Sequence, residues 1–319
     1  MGATPRVVIA HRLPDAGLER LRARFEVKSS STGFDRAALE GVLPGADALV
    51  ADPTVPVDGR LLDSAGSSLK VVANFAVGYD NVALDACRER GIVVTNTPDV
   101  LTNATAELAV TLMLAAARRL GEAERIVRAG RWSGWDPGFL LGRELARCTV
   151  GIVGLGRIGT RVAELLQGFG SRLVYSARSP KPEVESRLGL RRLTFEELIG
   201  EADVVTLHVP LTPETHRLID ARALERFKPG SILVNTSRGG LVESAALATA
   251  LRDGRPAAAG LDVYEREPEV PAVLLELENV VLAPHIGSAT AHARDAMATL
   301  VADNVTAVLE GRPPLTPVT

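Results

Sequence analysis

The chain is short of cysteine, of surplus positive charge and of long hydrophobic runs, and each shortage closes off a class of protein. Cys87 and Cys148 are the two cysteines in 319 residues, distant from each other and from any CxxC or histidine-rich spacing. A disulfide framework and a structural zinc site are therefore not expected, no metal is, and a reducing, cytoplasmic compartment is. A formal net charge of -3 supplies no basic face for a row of phosphates, so nucleic acid is not an expected partner. The most apolar stretch, 108–117, is half of the roughly 20 residues needed to cross a bilayer and is closed by Glu107 and Arg118. It reads as a buried helix, and no membrane association is expected. The start, with Pro5 and Arg6 ahead of a short apolar run at 7–10, lacks a signal-peptide core, and Arg6 spoils an acylation pattern. Internal repeats and low-complexity tracts are absent. What is present is an ordinary globular composition, 46% hydrophobic and 24% charged, at a length that predicts two domains.

Short β-branched runs alternate with helical patterns, the signature of parallel sheets covered by helices on both faces, so the fold class is α/β. In the first third, strands are expected at 7–10, 48–51, 69–74 and 92–95, with a helix over 81–90, as one small doubly wound unit. A continuous helical pattern then covers 103–120, with Thr102 or Asn103 as N-cap and Gly121 as the stop. Segment 130–142, rich in Trp, Gly and Pro, reads as a connecting loop. A second series of strands is expected at 149–153, 172–175, 204–208, 232–235, 258–262 and 280–283. Six strands suit a full dinucleotide-binding sheet. A last helix at 289–309 is free to return to the first domain.

The run Gly154-Leu155-Gly156-Arg157-Ile158-Gly159 follows the strand at 149–153 directly and opens a helix. That context gives the GxGxxG spacing its meaning: a tight turn, a close backbone approach to a pyrophosphate, and close helix–strand packing. An NAD-selecting carboxylate is then expected at the end of the next strand. That position is Ala177, followed by Arg178, Ser179 and Lys181. Two cations suit a 2′-phosphate, so NADP(H) is favoured, with NAD(H) possible; the alternative is that Arg178 and Lys181 are solvated loop charges.

Three late strands each end in polar residues, on the edge where α/β sheets bind ligands. They carry Arg238, Glu267 and His285. Reduction of a 2-keto acid needs a cation for the carboxylate and the polarised carbonyl, and an acid to protonate the developing alkoxide. Arg238 and His285 suit those roles, and a carboxylate such as Glu267 would orient the imidazole. Each has a plainer reading, as a surface charge, a helix-capping acid and a satisfied loop histidine. His208 ends a strand and could line the cleft, although packing is the simpler account.

With these residues assembled, the chain resembles the D-isomer-specific 2-hydroxyacid dehydrogenases over nearly its whole length, and among them the glyoxylate/hydroxypyruvate reductases most. The resemblance rests on the segments 73–81, 91–98, 154–159, 235–239, 261–268 and 284–288. It implies a Rossmann NAD(P)-binding domain, 100–285, inserted into a flavodoxin-like substrate domain formed by 1–99 and 286–319. It implies catalytic roles for Arg238, Glu267 and His285. It further implies a substrate carboxylate bound by the amides of Val77 and Gly78, and cofactor contacts at Thr105, Thr236, Asp262, Gly287 and Ser288. A homodimer joined through the nucleotide-binding domain is the family's usual assembly. The departure is Ala177, which bears on cofactor choice and not on reaction class. Two alternatives stay open: another member such as 3-phosphoglycerate dehydrogenase, against which the chain's early end and a cation-free substrate loop speak, and a nucleotide-sensing corepressor.

Overall fold

A computed structural model describes residues 4–30 and 35–318; Met1 to Ala3, at the start read above against a signal peptide, lie outside the described residues. The chain forms two compact units, one running to Leu101 and resuming at Ser288, the other spanning Thr102–Gly287. Sequence reading placed the divisions at 99/100 and 285/286.

The first unit holds five parallel strands, β1 (Arg6–Ile9), β2 (Glu26–Ser29), β3 (Ala48–Ala51), β4 (Val71–Asn74) and β5 (Val93–Thr95), in the order β2-β1-β3-β4-β5. This is the flavodoxin-like doubly wound order, which reverses between β1 and β3. Every residue of β3 and β4 is buried, as expected of strands covered on both faces. β2 was not expected. It is an edge strand of polar composition, Glu-Val-Lys-Ser, with neither an apolar run nor a buried face to betray it. The helix expected from Asn81 begins at Leu84, because the Asn81 side chain instead donates to the Asp52 and Val55 carbonyls. The last helix, Ala291–Leu309, packs within this unit against the helix Asp15–Arg22.

The second unit is a seven-stranded parallel sheet of β6 (Thr149–Val153), β7 (Arg172–Ser176), β8 (Arg191–Arg192), β9 (Val204–Leu207), β10 (Ile232–Asn235), β11 (Ala258–Leu261) and β12 (Val280–Leu282). The order β12-β11-β10-β9-β6-β7-β8 is that of a Rossmann sheet with one further strand, reversing between β6 and β9. Alternate residues feed two cores. Val150, Ile152 and Val234 join one with Met113 and Tyr175, while Val153, Val205 and Leu233 join the other with Phe227. Burial of each such aliphatic side chain contributes roughly 2 kcal/mol, so the central strands are the best-specified part of the unit.

The helix expected over 103–120 runs as Thr102–Ala117 and does not stop at Gly121. The Ala117 carbonyl is taken by the Arg143 amide at 2.8 Å, Arg119 adopts a left-handed φ of 52°, and a separate helix, Leu120–Arg128, contains Gly121. The first helix is buried on several sides and the second has no buried residue, so the chain must change direction between them. Among the described residues no helix is long and apolar enough to cross a membrane.

Candidate active site

In the second unit the turn after β6 is shaped by its glycines. Gly154 has φ +95°, and a Cβ there would stand 2.6 Å from the His208 carbonyl. A Cβ on Gly159 would stand 2.1 Å from the Gly154 carbonyl, so this glycine is required where the helix Arg157–Gln167 meets the turn. Gly156, its N-cap, differs: a Cβ there meets nothing within 4 Å, and no side chain caps the helix. Packing therefore does not explain Gly156, whereas the approach of a pyrophosphate to the N-terminus of this helix does. Leu155, between them, is buried. A dinucleotide cofactor fits this cradle.

The segment after β7 is pinned. The Tyr175 hydroxyl donates to Glu185 and accepts from the Lys181 amide at 2.9 Å. Arg192, on β8, donates to the carbonyls of Ala177 and Arg178 at 2.9 and 3.1 Å. Arg178, Ser179 and Lys181 are exposed beside it. Sequence reading missed Arg192, because a two-residue exposed strand leaves no pattern.

The ends of β10, β11 and β12 are drawn together by backbone. Gly239 lies so close under Tyr264 that a Cβ would be 1.8 Å from its carbonyl carbon. The Tyr264 hydroxyl donates to the Ala283 carbonyl at 2.9 Å, tying the loop after β11 to β12. Asn235 holds the Arg238 carbonyl at 2.8 Å, and the half-buried Arg238 guanidinium donates to the Ser237 carbonyl. The Thr236 hydroxyl is buried with no hydrogen-bond partner among the described residues, a state that costs about 1–3 kcal/mol unless a ligand supplies one. Tyr264 was not singled out from sequence, since its work is done by its hydroxyl across two strands.

Glu267 stands against His285, with Oε2 2.5 Å from Nδ1, while its Oε1 accepts from the Tyr264 amide at 3.0 Å. Burial pushes the Glu267 carboxyl up, but the hydrogen bond and charge of His285, the Tyr264 amide and the Arg238 guanidinium outweigh it and leave it below the usual carboxylate range. An ionised carboxylate only accepts, so Nδ1 carries the hydrogen of this bond and Nε2 is the nitrogen left for other partners. His285 itself has φ +53°, unusual for a residue with a side chain. Asp262, fully buried, holds the turn: its carbonyl accepts from the His285 amide at 2.8 Å, and its carboxylate from Ile286 and Gly287 at 2.7 and 2.8 Å. Burial raises the Asp262 carboxyl despite these amides. Thr105 joins the group, its methyl 3.5 Å from where a Cβ on Gly287 would lie.

Val77, Gly78 and Ser288 belong to the first unit. Val77 and Gly78 follow β4, half-buried, in a loop whose carbonyls are held by Asn96 and Asn74. The Ser288 carbonyl accepts from Thr290 just ahead of the last helix.

The fold and these strand-end residues define a nicotinamide-dependent dehydrogenase of the doubly wound type, and comparison with known proteins agrees. Residues 110–287 match the D-isomer specific 2-hydroxyacid dehydrogenase NAD binding domain, and the chain belongs to that family of oxidoreductases. It is 47% identical over 318 residues to a glyoxylate reductase of Thermococcus onnurineus, covering 98% of this chain and 95% of the relative. A glyoxylate reductase of Thermococcus litoralis is 46% identical, covering 97% and 95%. Among solved structures, a protein of Thermus thermophilus superposes with a TM-score of 0.92 at 48% identity, covering 98% of this chain and 100% of that one. The NADPH-dependent glyoxylate/hydroxypyruvate reductase of Sinorhizobium meliloti, solved with NADP and malonate, gives 0.89 at 38% identity, covering 99% and 97%.

Proposed function

We propose that the chain reduces small 2-keto acids, glyoxylate and hydroxypyruvate, to D-2-hydroxy acids, with NADPH preferred over NADH. The observation that carries this reading is the Glu267–His285 pair at the strand ends, within electrostatic reach of Arg238. Residues of the turn Gly154 to Gly159, with Thr105, Thr236, Asp262, Gly287 and Ser288, hold the dinucleotide, and Arg178 and Lys181 face its 2′-phosphate. The bound nicotinamide supplies the hydride that reaches C2. The amides of Val77 and Gly78 hold the substrate carboxylate, and Arg238 binds the polarised carbonyl and carboxylate. As C2 becomes tetrahedral, the carbonyl oxygen takes the proton from Nε2 of His285, which Glu267 keeps oriented. The first unit thus serves as substrate domain and the second as NAD(P)-binding domain.

The NADP(H) preference is supported by the absence of an acidic residue at Ala177 and by the NADP bound to the Sinorhizobium meliloti relative. A homodimer is proposed on the exposure of Trp132, Trp135, Phe139 and Leu141 in one segment, together with the unburied helix Leu120–Arg128. A cytoplasmic setting is proposed on two free, buried cysteines.

Nicotinamide absorbance with glyoxylate or hydroxypyruvate, and NADPH or NADH in parallel, tests the reading. NADPH should be consumed faster, and His285→Ala should lower kcat by about 100-fold or more while NADPH affinity holds. A faster rate with NADH would remove the cofactor preference. An active His285→Ala enzyme would remove the proton donor, and no oxidation with either acid would remove the activity.

A further inference from the structure

The loop after β4 is gripped from behind, one peptide plane at a time. The Thr97 amide donates to the Ala76 carbonyl at 2.8 Å, Asn96 Nδ2 to the Val77 carbonyl at 2.7 Å, and Asn74 Nδ2 to the Gly78 carbonyl at 2.8 Å. A peptide unit is planar, so fixing a carbonyl fixes the N–H of the next residue. Thr97 thereby sets the direction of the Val77 N–H, and Asn96 that of the Gly78 N–H. Neither N–H donates to an acceptor among the described residues. A carbonyl that accepts a hydrogen bond also polarises its peptide and strengthens the N–H as a donor.

Asn96 is anchored in turn. Its carbonyl accepts from the Thr316 hydroxyl at 2.6 Å, and its amide donates to the Thr316 carbonyl at 3.3 Å. Thr316 is held by Asn304, fully buried in the last helix, which donates to the Thr316 hydroxyl at 2.9 Å and accepts from the Thr316 amide at 3.1 Å. An unbroken run of hydrogen bonds links the last helix to the Val77–Gly78 peptide.

We infer that Asn96 is a positioning residue for substrate: it aims the Gly78 N–H, beside that of Val77, as a paired donor for the carboxylate of the 2-keto acid, and Thr316 and Asn304 hold Asn96 in place. This rests on the carboxylate site proposed above. Because the cradle grips a carboxylate that is unchanged during reaction, its misalignment weakens ground state and transition state alike and appears in KM.

The test compares Asn96→Asp, which keeps the shape but not the donor, with Asn96→Ala and with Thr316→Val, a milder change should the first two fail to fold. For both Asn96 variants the KM for glyoxylate should rise roughly tenfold, with kcat within about threefold and NADPH affinity unchanged; Thr316→Val should move KM in the same direction by less. In glycine-15N-labelled protein, oxamate, a carboxylate that is not reduced, should shift the Gly78 amide resonance of wild type and not that of Asn96→Asp. Unchanged KM in the folded variants, or a fall in kcat with KM unmoved, overturns the positioning role. A wild-type enzyme that reduces glyoxylate while its Gly78 resonance ignores oxamate also overturns it. A wild type that reduces no 2-keto acid removes the proposed function itself.

Discussion

His285 occupies a backbone conformation that costs on the order of 1–3 kcal/mol for a non-glycine residue. The Ile286 and Gly287 amides donate to Asp262's carboxylate, and these two hydrogen bonds work against that cost by fixing the turn that carries the imidazole. His208 illustrates a different effect. Desolvation pushes its imidazole down from 6.5 to about 4, and its Nε2 lies 2.9 Å from the Thr206 hydroxyl. The folded chain therefore keeps His208 neutral where the unfolded chain has begun to protonate it, so the folded state loses stability as pH falls from 6.5 toward 4. Melting temperatures measured across that window should drop for wild type and drop less for His208→Gln. Parallel curves would show that His208 does not contribute.

At the scale of elements, the glycines of the β6 turn divide by what surrounds them. Gly159→Ala should lower the melting temperature, because its methyl would enter the Gly154 carbonyl. Gly156→Ala should leave melting nearly unchanged and weaken NADPH binding, about tenfold or more, since the space it fills is open in the protein alone. Calorimetric melting and fluorescence titration of the two variants separate these outcomes; equal melting losses would contradict the division. Strands legible from sequence are those buried on both faces: β3, β6 and β10 have the expected limits because apolar runs end where polar strand-end residues begin. β2 and β8 were illegible because exposed edges carry Glu, Lys and Arg freely. The pairing of Glu267 with His285 could be anticipated from residue type and strand-end placement. The supports from Tyr264, Arg192 and Asn96 could not, since each works by holding a backbone atom distant in sequence, which no local pattern encodes.

On the scale of the whole molecule, exposed apolar side chains gather in one segment that includes Trp132 at 58% and Trp135 at 83% exposure. Two tryptophans left in water are unusual for a monomer and are accounted for by the proposed second copy. Light scattering should give a dimer mass for wild type and a monomer mass for the Trp132→Glu, Trp135→Glu double variant; a dimer that survives both changes would place the interface elsewhere.

The second unit begins with the helix carrying Thr105 and ends at Gly287, and the Thr105 methyl lies 3.5 Å from where a Cβ on Gly287 would stand, so the two ends are neighbours. A segment that closes on itself in this way asks of its host only one opening between adjacent positions, as any short loop would. In genetic terms the stretch encoding 102–287 is a cassette set between the coding sequence for all five strands of the first unit and that for its last helix.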